Sequence, residues 1–248
     1  MDAALAFFAF VPGLALGSFL NVVAARLPER RSVVRPGSSC MSCGTEIAWY
    51  DNVPVVSYLV LRGRCRGCGT RIGLLYPAVE LATAALIAGC VVAFGWSLHA
   101  LAAAIFCAAL VVVTATDLSH RIVPNRVVGP AAVSVLSLMT LAEPSPEWAI
   151  AGLGASAFLL AAALAYPAGM GMGDVKLALL MGVALGRGVT VALLVGMFFA
   201  LVPSVVLLAR HGARARKMAI PFAPFLALGS VVALFAGHAL IRAYLTFF

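Results

Sequence analysis

The chain has 248 residues, of which 63% are hydrophobic and only 10% are charged, and this composition excludes a soluble globular protein. Repeated apolar runs predict a polytopic, all-α membrane protein, and the short alternating segments typical of a membrane β-barrel are missing from the sequence. The net charge of +8 comes from 17 Lys and Arg against nine Asp and Glu. In a membrane protein such charge indicates orientation, and no aromatic or basic motif supports nucleic-acid binding.

The apolar runs predict about eight transmembrane helices. They cover residues 4–24, 77–95, 98–116, 127–142, 148–168, 175–186, 189–209 and 221–244. The first run lacks the basic start of a cleavable signal peptide, so we interpret it as a membrane helix. The aqueous segment 26–76 and the loop 210–217 carry most of the arginines, and the positive-inside bias predicts both on the cytosolic side. Span 175–186 would be only about 18 Å long, so we expect it to tilt or dip.

Four of the six cysteines form two C-x-x-C-G motifs in the aqueous segment. The four are Cys40, Cys43, Cys65 and Cys68. Two such motifs complete a tetrahedral site of four sulfurs, which favours zinc over iron or a redox pair, and a reducing cytosol disfavours disulfides. Because four thiolates leave no open position on the metal, we expect the zinc to be structural and to hold together a small loop domain between helices 1 and 2.

Three acidic residues, Glu80, Asp117 and Asp174, lie within or at the ends of predicted spans. The topology places Asp117 and Asp174 on the same cytosolic side, where two close carboxyl groups can share a proton. The ionised carboxylate would then act as a base on water while the neutral one polarises a scissile carbonyl. Two alternatives stay open: helix-end acids that reach water or pair with Arg121 or Lys176, and the proton pathway of a transporter. The transporter does not explain the cysteine motifs.

Asp174 follows two glycines in the sequence Gly171-Met172-Gly173-Asp174. An Asp at the centre of a bilayer costs about 2.5–3.5 kcal/mol on insertion scales, so this carboxylate should face protein or water. Glycine removes side-chain bulk, and another segment or an extended peptide can therefore approach the backbone closely. The stretch is thus a candidate catalytic element.

Six motifs, in order along the chain, resemble those of the bacterial type 4 prepilin peptidases. They are GSFLNVVAARLP at 17–28, the paired C-x-x-C motifs, YPAVELATAALIAG at 76–89, Asp117 with Pro124, GMGDVKLALLMGVALG at 171–186, and KMAIPFAPFL at 217–226. The resemblance covers nearly the whole chain. It implies a GxGD-type aspartic protease in the bacterial inner membrane, with its active site facing the cytosol.

The family resemblance also implies a substrate and two activities. The enzyme would cleave the leader of prepilins or pseudopilins of type IV pilus and type II secretion systems after a Gly. It would then methylate the new N-terminal residue with S-adenosylmethionine. Asp117 and Asp174 carry over as the catalytic pair, and the four cysteines as metal ligands. Five further residues are expected to contact the substrate or shape the site: Pro124, Asn125, Gly171, Gly173 and Lys176.

The resemblance further divides the chain into a first transmembrane helix (1–25), a zinc-binding and methyltransferase-associated loop (26–76) and a seven-helix peptidase domain (77–248). The chain departs from the family pattern at three positions. The family has a second acid where this chain has Ser119, an Asp where it has Asn125 and a Gly where it has Ala223. Shorter relatives without the zinc loop cleave but do not methylate. Because the loop is present, we expect both activities, with peptidase activity alone as the alternative. The prepilin and the bilayer are the expected partners, and nothing in the sequence indicates an oligomeric state.

Overall fold

The computed structural model describes residues 2–166, 170–212 and 220–247. Within these ranges the chain forms nine α-helices and no β-strand beyond two isolated bridges. The helices are α1 (Asp2–Arg26), α2 (Val56–Val60), α3 (Leu75–Phe94), α4 (Leu98–His120), α5 (Asn125–Ala142), α6 (Glu147–Ala165), α7 (Met172–Leu185), α8 (Val189–His211) and α9 (Ala223–Phe247). The predicted all-α class is confirmed, and every helix except the short α2 corresponds to a predicted span.

Six helical stretches in the described part of the chain are long and apolar enough to cross a membrane. The last of these, Met172–His211, joins α7 and α8 through the 3-10 turn Gly186–Gly188, and α9 contributes the shorter apolar helix Ala223–Gly237. The protein is therefore a multi-pass helical membrane protein, while the number of eight crossings stays a prediction. Residues 167–168 of the predicted fifth span, 213–217 of the basic loop and 217–219 of the last motif lie outside the described residues.

The chain forms two compact units, Met1–Ala100 and Leu101–Phe248. The first unit holds α1, α2, α3 and the cysteine-containing segment, and the second holds the helices from α4 onward. These units are defined by packing alone. The functional division into 1–25, 26–76 and 77–248 stays a prediction.

In the first unit, α1 packs against α3 through two glycines. A Cβ added at Gly13 would lie 2.7 Å from the Cα of Ala84, and one added at Gly17 would lie 2.6 Å from the Cα of Glu80. Real Cβ atoms do not come so close to backbone, so only glycine permits this spacing. The pair forms a G-x-x-x-G motif, a pattern that brings membrane helices into direct backbone contact.

Polar side chains in the first unit tie α1 and the aqueous segment to α3. The side-chain amide of Asn21 donates to the carbonyl oxygen of Tyr76 at 3.0 Å. The carboxylate of Glu80, only 9% exposed, accepts the backbone N–H of Val55 at 2.8 Å. Val55 has φ 61°, a value that is strained for a β-branched residue. Glu80, the third membrane acid, therefore anchors a strained turn of the aqueous segment.

In the second unit, α7 is the central helix. Leu177, Leu180 and Met181 on this helix are fully buried, and they belong to a continuous core with side chains from α4, α5, α6, α8 and α9. At 14 residues α7 is about 21 Å long, shorter than the roughly 30 Å hydrocarbon core of a bilayer. This agrees with the expected short span. The packing around α7 holds its first turn, which carries Asp174, in a defined position.

Candidate active site and metal centre

Asp117 lies in the last turn of α4 and is only 7% exposed. Its Oδ2 accepts the backbone N–H of Ala223 at 3.1 Å, and Ala223 is the fully buried first residue of α9. The first N–H groups of a helix have no partner within the helix and lie at its positive end, so a carboxylate is a favourable acceptor there. Asp117 thus caps a helix that begins 106 residues further along the chain.

The chain turns sharply after Asp117. The N–H of Arg121 donates to the Asp117 carbonyl oxygen at 2.9 Å, and Arg121 has φ 55° in the left-handed region where helices commonly end. A short connection then leads to Pro124, the residue that caps the start of α5. Pro124 therefore marks the point at which this connection becomes helical again.

Asp174 lies in the first turn of α7 and is partly buried. Its backbone N–H donates to the carbonyl oxygen of Gly171 at 3.1 Å. The connection that leaves the Asp117 turn reaches the start of α7, because Val123 lies against Gly173, the residue before Asp174. The second unit thus places the two predicted acids on segments that contact each other, although residues 118–173 separate them in the chain.

The two glycines before Asp174 have different surroundings. A Cβ added at Gly173 would lie 2.8 Å from the Cβ of Val123 and 3.0 Å from its Cγ2, so this position is closed by the connection that follows α4. A Cβ added at Gly171 would meet nothing nearer than the Asp174 Oδ2 at 3.8 Å, an ordinary contact. The expected close approach thus occurs at Gly173, and the segment that approaches it is Val123 of the protein itself.

The remaining site-shaping candidates contact each other. The Nζ of Lys176 donates to the Oδ1 of Asn125 at 3.0 Å. This bond joins the first residue of α5 to the fifth residue of α7, and it gives Asn125, one of the departures from the family pattern, a structural partner. The two side chains also border an open cavity of about 310 Å³. Its lining consists of Asn125, Val128, Gly129, Ala132, Ser156, Lys176 and Leu179.

The four predicted metal ligands come together in the first unit. Their sulfur atoms all lie within 4.8 Å of one another, and the Sγ atoms of Cys40 and Cys68 are 3.8 Å apart. Four thiols at this spacing can hold a metal ion. The four positions are Cys40, Cys43, Cys65 and Cys68.

The two cysteine motifs have the same backbone hydrogen bonds. In the first, the N–H of Cys40 donates to Thr45 O at 2.9 Å and the N–H of Gly44 donates to Cys40 O at 2.9 Å. In the second, the N–H of Cys65 donates to Thr70 O at 2.8 Å, and the Gly that follows Cys68 donates to Cys65 O at 2.9 Å. Each motif is thus a complete turn that presents two sulfurs.

A threonine beside each motif favours the thiolate form. The Thr45 hydroxyl lies 3.3 Å from the Sγ of Cys43, and hydrogen bonds from Thr45 lower the pKa of Cys43 to about 6. Thr70 lies 3.2 Å from the Sγ of Cys68 and lowers the pKa of that thiol in the same way. Since the thiolate is the metal ligand, this arrangement suits a cation.

Two family models match the chain. The one described as Bacterial Peptidase A24 N-terminal domain matches residues 11–94, and the one described as Type IV leader peptidase family matches residues 104–207. The Prepilin leader peptidase/N-methyltransferase of Bacillus subtilis (strain 168) is 35% identical over 246 residues, which cover 95% of this chain and 96% of the relative. The chain belongs to the type IV leader peptidase family.

Further relatives carry the same name. The Prepilin leader peptidase/N-methyltransferase of Burkholderia pseudomallei (strain 1026b) is 36% identical, with 93% of this chain and 85% of the relative covered. That of Pseudomonas aeruginosa (strain PAO1) is 32% identical, with 95% and 91% covered. No solved structure matches the chain. The predicted resemblance is confirmed, and the transporter alternative finds no support among these relatives.

Several residues that support the two sites of this leader peptidase family member were not predicted from the sequence. Val123 closes the space beside Gly173, and Ala223 supplies a backbone donor to Asp117. Neither role has a side-chain pattern that would reveal it. Thr45 and Thr70 did have a signal, because both cysteine motifs continue identically from glycine to threonine.

Proposed function

We propose that this protein is a prepilin leader peptidase in which Asp117 and Asp174 are the catalytic acids. Family membership supports the reaction class, and the names of the relatives supply the substrate, a prepilin. The observation that supports the residue assignment is the buried Asp117 carboxylate, which is held by the Ala223 N–H and followed by the connection whose Val123 lies against Gly173, next to Asp174. An aspartic protease needs two carboxyl groups that can share a proton.

The hydrogen bond from Ala223 gives the two carboxylate oxygen atoms of Asp117 different roles. Oδ2 accepts the Ala223 N–H, and Oδ1 is left for water or for the proton shared with Asp174. The ionised carboxylate takes a proton from water, which attacks the carbonyl carbon of the leader Gly, and the neutral carboxyl donates its proton to the oxygen of that carbonyl. When the C–N bond breaks, the proton taken from water passes to the leaving amine. The two acids therefore titrate as one unit.

We place the active site on the cytosolic side of the bacterial inner membrane. The placement follows from topology: if α3 and α4 both cross the bilayer, the end of α4 returns to the side that holds the arginine-rich segment 26–76. The positive-inside bias puts that segment in the cytosol. Asp117, in the last turn of α4, then lies at the cytosolic membrane face.

We also propose a second activity, methylation of the new N-terminal residue. The names of the relatives include N-methyltransferase, and the chain has the cysteine-containing segment that the family resemblance associates with this activity. Zinc fits the four thiols and would be structural, since a four-sulfur site leaves no position for a reactant. S-adenosylmethionine would supply the methyl group.

Leader removal by the purified protein tests the peptidase assignment. Asp117→Asn and Asp174→Asn keep the size of each side chain and remove its charge, so both variants should fold and leave a prepilin at full length. Glu29→Gln, an exposed loop acid paired with Arg31, is the matched control and should cleave normally. Cleavage by either aspartate variant at the wild-type rate would exclude the pair as catalytic.

Mass spectrometry of the cleaved pilin tests the second activity. The N-terminal peptide should gain the mass of one methyl group when S-adenosylmethionine is present. A cleaved but unmethylated pilin would leave peptidase activity alone as the function.

A further inference from the structure

A cavity of about 350 Å³ lies in the first unit, beside the last turns of α1. Its walls are α1 itself and parts of the segment that follows it, 33–38 and 52–54. The volume falls in the range of roughly 300–1,000 Å³ typical of small-molecule sites. The cavity belongs neither to the aspartate site nor to the cysteine cluster, and none of the roles described above uses it.

Arg26 builds one wall of this cavity. Its Nη1 donates to the carbonyl oxygens of Ser32 and Pro36 at 3.1 and 2.8 Å, and its Nη2 donates to that of Gly37 at 3.0 Å. These three bonds fasten the loop to the end of α1. A guanidinium carries five N–H donors, so Nε and the second N–H of Nη2 take no part in them. The loop is fixed, and part of the cation still faces the cavity.

The other lining side chains are of three chemical kinds. Phe19 offers an aromatic ring that is 49% exposed. Ser38 and Asn52 offer a hydroxyl and an amide group, the Ser18 hydroxyl is hydrogen-bonded to the Glu80 carboxylate, and valines and prolines complete the apolar surface. No Asp or Glu lines the cavity among the residues that the structure describes. A fitting ligand therefore has an aromatic part, several hydrogen-bonding groups and an anionic group.

We propose that this cavity binds the methyl donor S-adenosylmethionine. The Phe19 ring would stack on the adenine, Arg26 would bind the carboxylate of the methionine part, and Ser38 and Asn52 would bind the ribose and the edge of the base. Stacking of a nucleobase on an aromatic side chain is a general recognition mode. The inference rests on the proposed methyltransferase function and adds the residues that hold the donor.

The position of the cavity suits the reaction. Ser18 and Phe19 lie in the last nine residues of α1 and Arg26 is its last residue, so the cavity lies at the end of the candidate span that leads into segment 26–76, on the side where we place cleavage. The new amine attacks the methyl carbon, the carbon–sulfur bond breaks with its electron pair on sulfur, and one amine proton passes to water. The amine attacks in its neutral form, because only this form has a free electron pair.

Binding of the donor, measured apart from catalysis, tests this inference. Full-length protein in phosphatidylcholine nanodiscs would be titrated with S-adenosylmethionine by calorimetry. Phe19→Ala and Asn52→Ala should each raise the Kd at least about fivefold, while Phe19→Trp retains a ring and should bind nearly as the wild type does. Phe8→Ala is the matched control, since Phe8 is an exposed ring on the same helix away from the cavity.

Three outcomes would overturn the inference. Equal donor affinity in the wild type, Phe19→Ala and Asn52→Ala would place the donor elsewhere, while methylation of the pilin would still uphold the proposed function. A wild type that cleaves prepilin but neither binds the donor nor methylates would overturn the methyltransferase function itself. If phosphatidylglycerol binds in a way that depends on Phe19 and Asn52, and the donor does not bind, the cavity is a lipid headgroup site. Leader cleavage by each preparation reports that the variant is folded.

Discussion

The close contact between Gly173 and Val123 makes Gly173→Ala an informative substitution. The added Cβ would lie 2.8 Å from the Val123 Cβ. Nonbonded carbon atoms prefer about 3.5–4.0 Å, so the start of α7 and the connection after α4 would have to separate by roughly 0.7 Å or more. These two segments flank Asp174 and Asp117, and the separation therefore acts directly on the geometry of the pair.

The expected effect is a large loss of cleavage with little loss of folding. Misplacement of catalytic groups by about 1 Å can cost on the order of 100-fold in rate, so we expect a decrease of about 10- to 100-fold. Overpacking costs about 1–3 kcal/mol, but alanine is better than glycine in a helix by about 1 kcal/mol, and this gain offsets part of the cost. Gly171→Ala makes only an ordinary contact and should stay within a few-fold of the wild type.

Initial rates of leader removal, with thermal unfolding of the same preparations, measure both effects. Val123→Gly removes the side chain that the new alanine methyl would meet, so the double variant should recover part of the activity lost in Gly173→Ala. Cleavage by Gly173→Ala at the wild-type rate would refute the steric explanation. A loss in Gly171→Ala as large as that in Gly173→Ala would refute it equally, because the explanation depends on the different surroundings of the two glycines.

Three further predictions concern other contacts. Ala223→Pro removes the N–H donated to Asp117 and should lower cleavage at least about tenfold, whereas Ala223→Gly keeps this N–H and should remain active in the same assay. Metal analysis should find one zinc per chain. The zinc should be lost in Cys65→Ser and kept in Cys107→Ala, and a metal-free wild type would contradict the four-thiol site. Glu80→Ala removes the acceptor of the Val55 N–H and should speed hydrogen exchange of that amide, and unchanged exchange would show that the bond does not hold the turn.

The helices could be predicted from the sequence because lipid imposes a simple rule. A helix that crosses a bilayer needs about 20 apolar residues, and the apolar runs correspond in order to the eight long helices of the described chain. The cysteine cluster could also be predicted from the sequence, because a C-x-x-C motif is a local turn whose ligands are close in sequence.

The contacts that shape the aspartate site could not be predicted in the same way. The motif around Gly173 indicates that something approaches closely, but its partner, Val123, comes from a distant part of the chain. The donor to Asp117 is the backbone N–H of Ala223, and every residue except proline has such a group. Such partners follow from the packing of α7 and α9 rather than from a residue pattern.

The glycine seam between α1 and α3 has a consequence for biogenesis. Asn21 and Tyr76, which bond across the seam, are 55 residues apart in the chain. At a synthesis rate of about 5–20 residues per second, Tyr76 is made roughly 3–11 s after Asn21, and the rest of α3 follows later still. During this interval Gly13 and Gly17 face lipid, and any neighbouring helix with small residues can occupy their surface. Correct assembly therefore requires α3 to reach α1 before a competing helix does, and the timing of translation becomes part of how this enzyme is made.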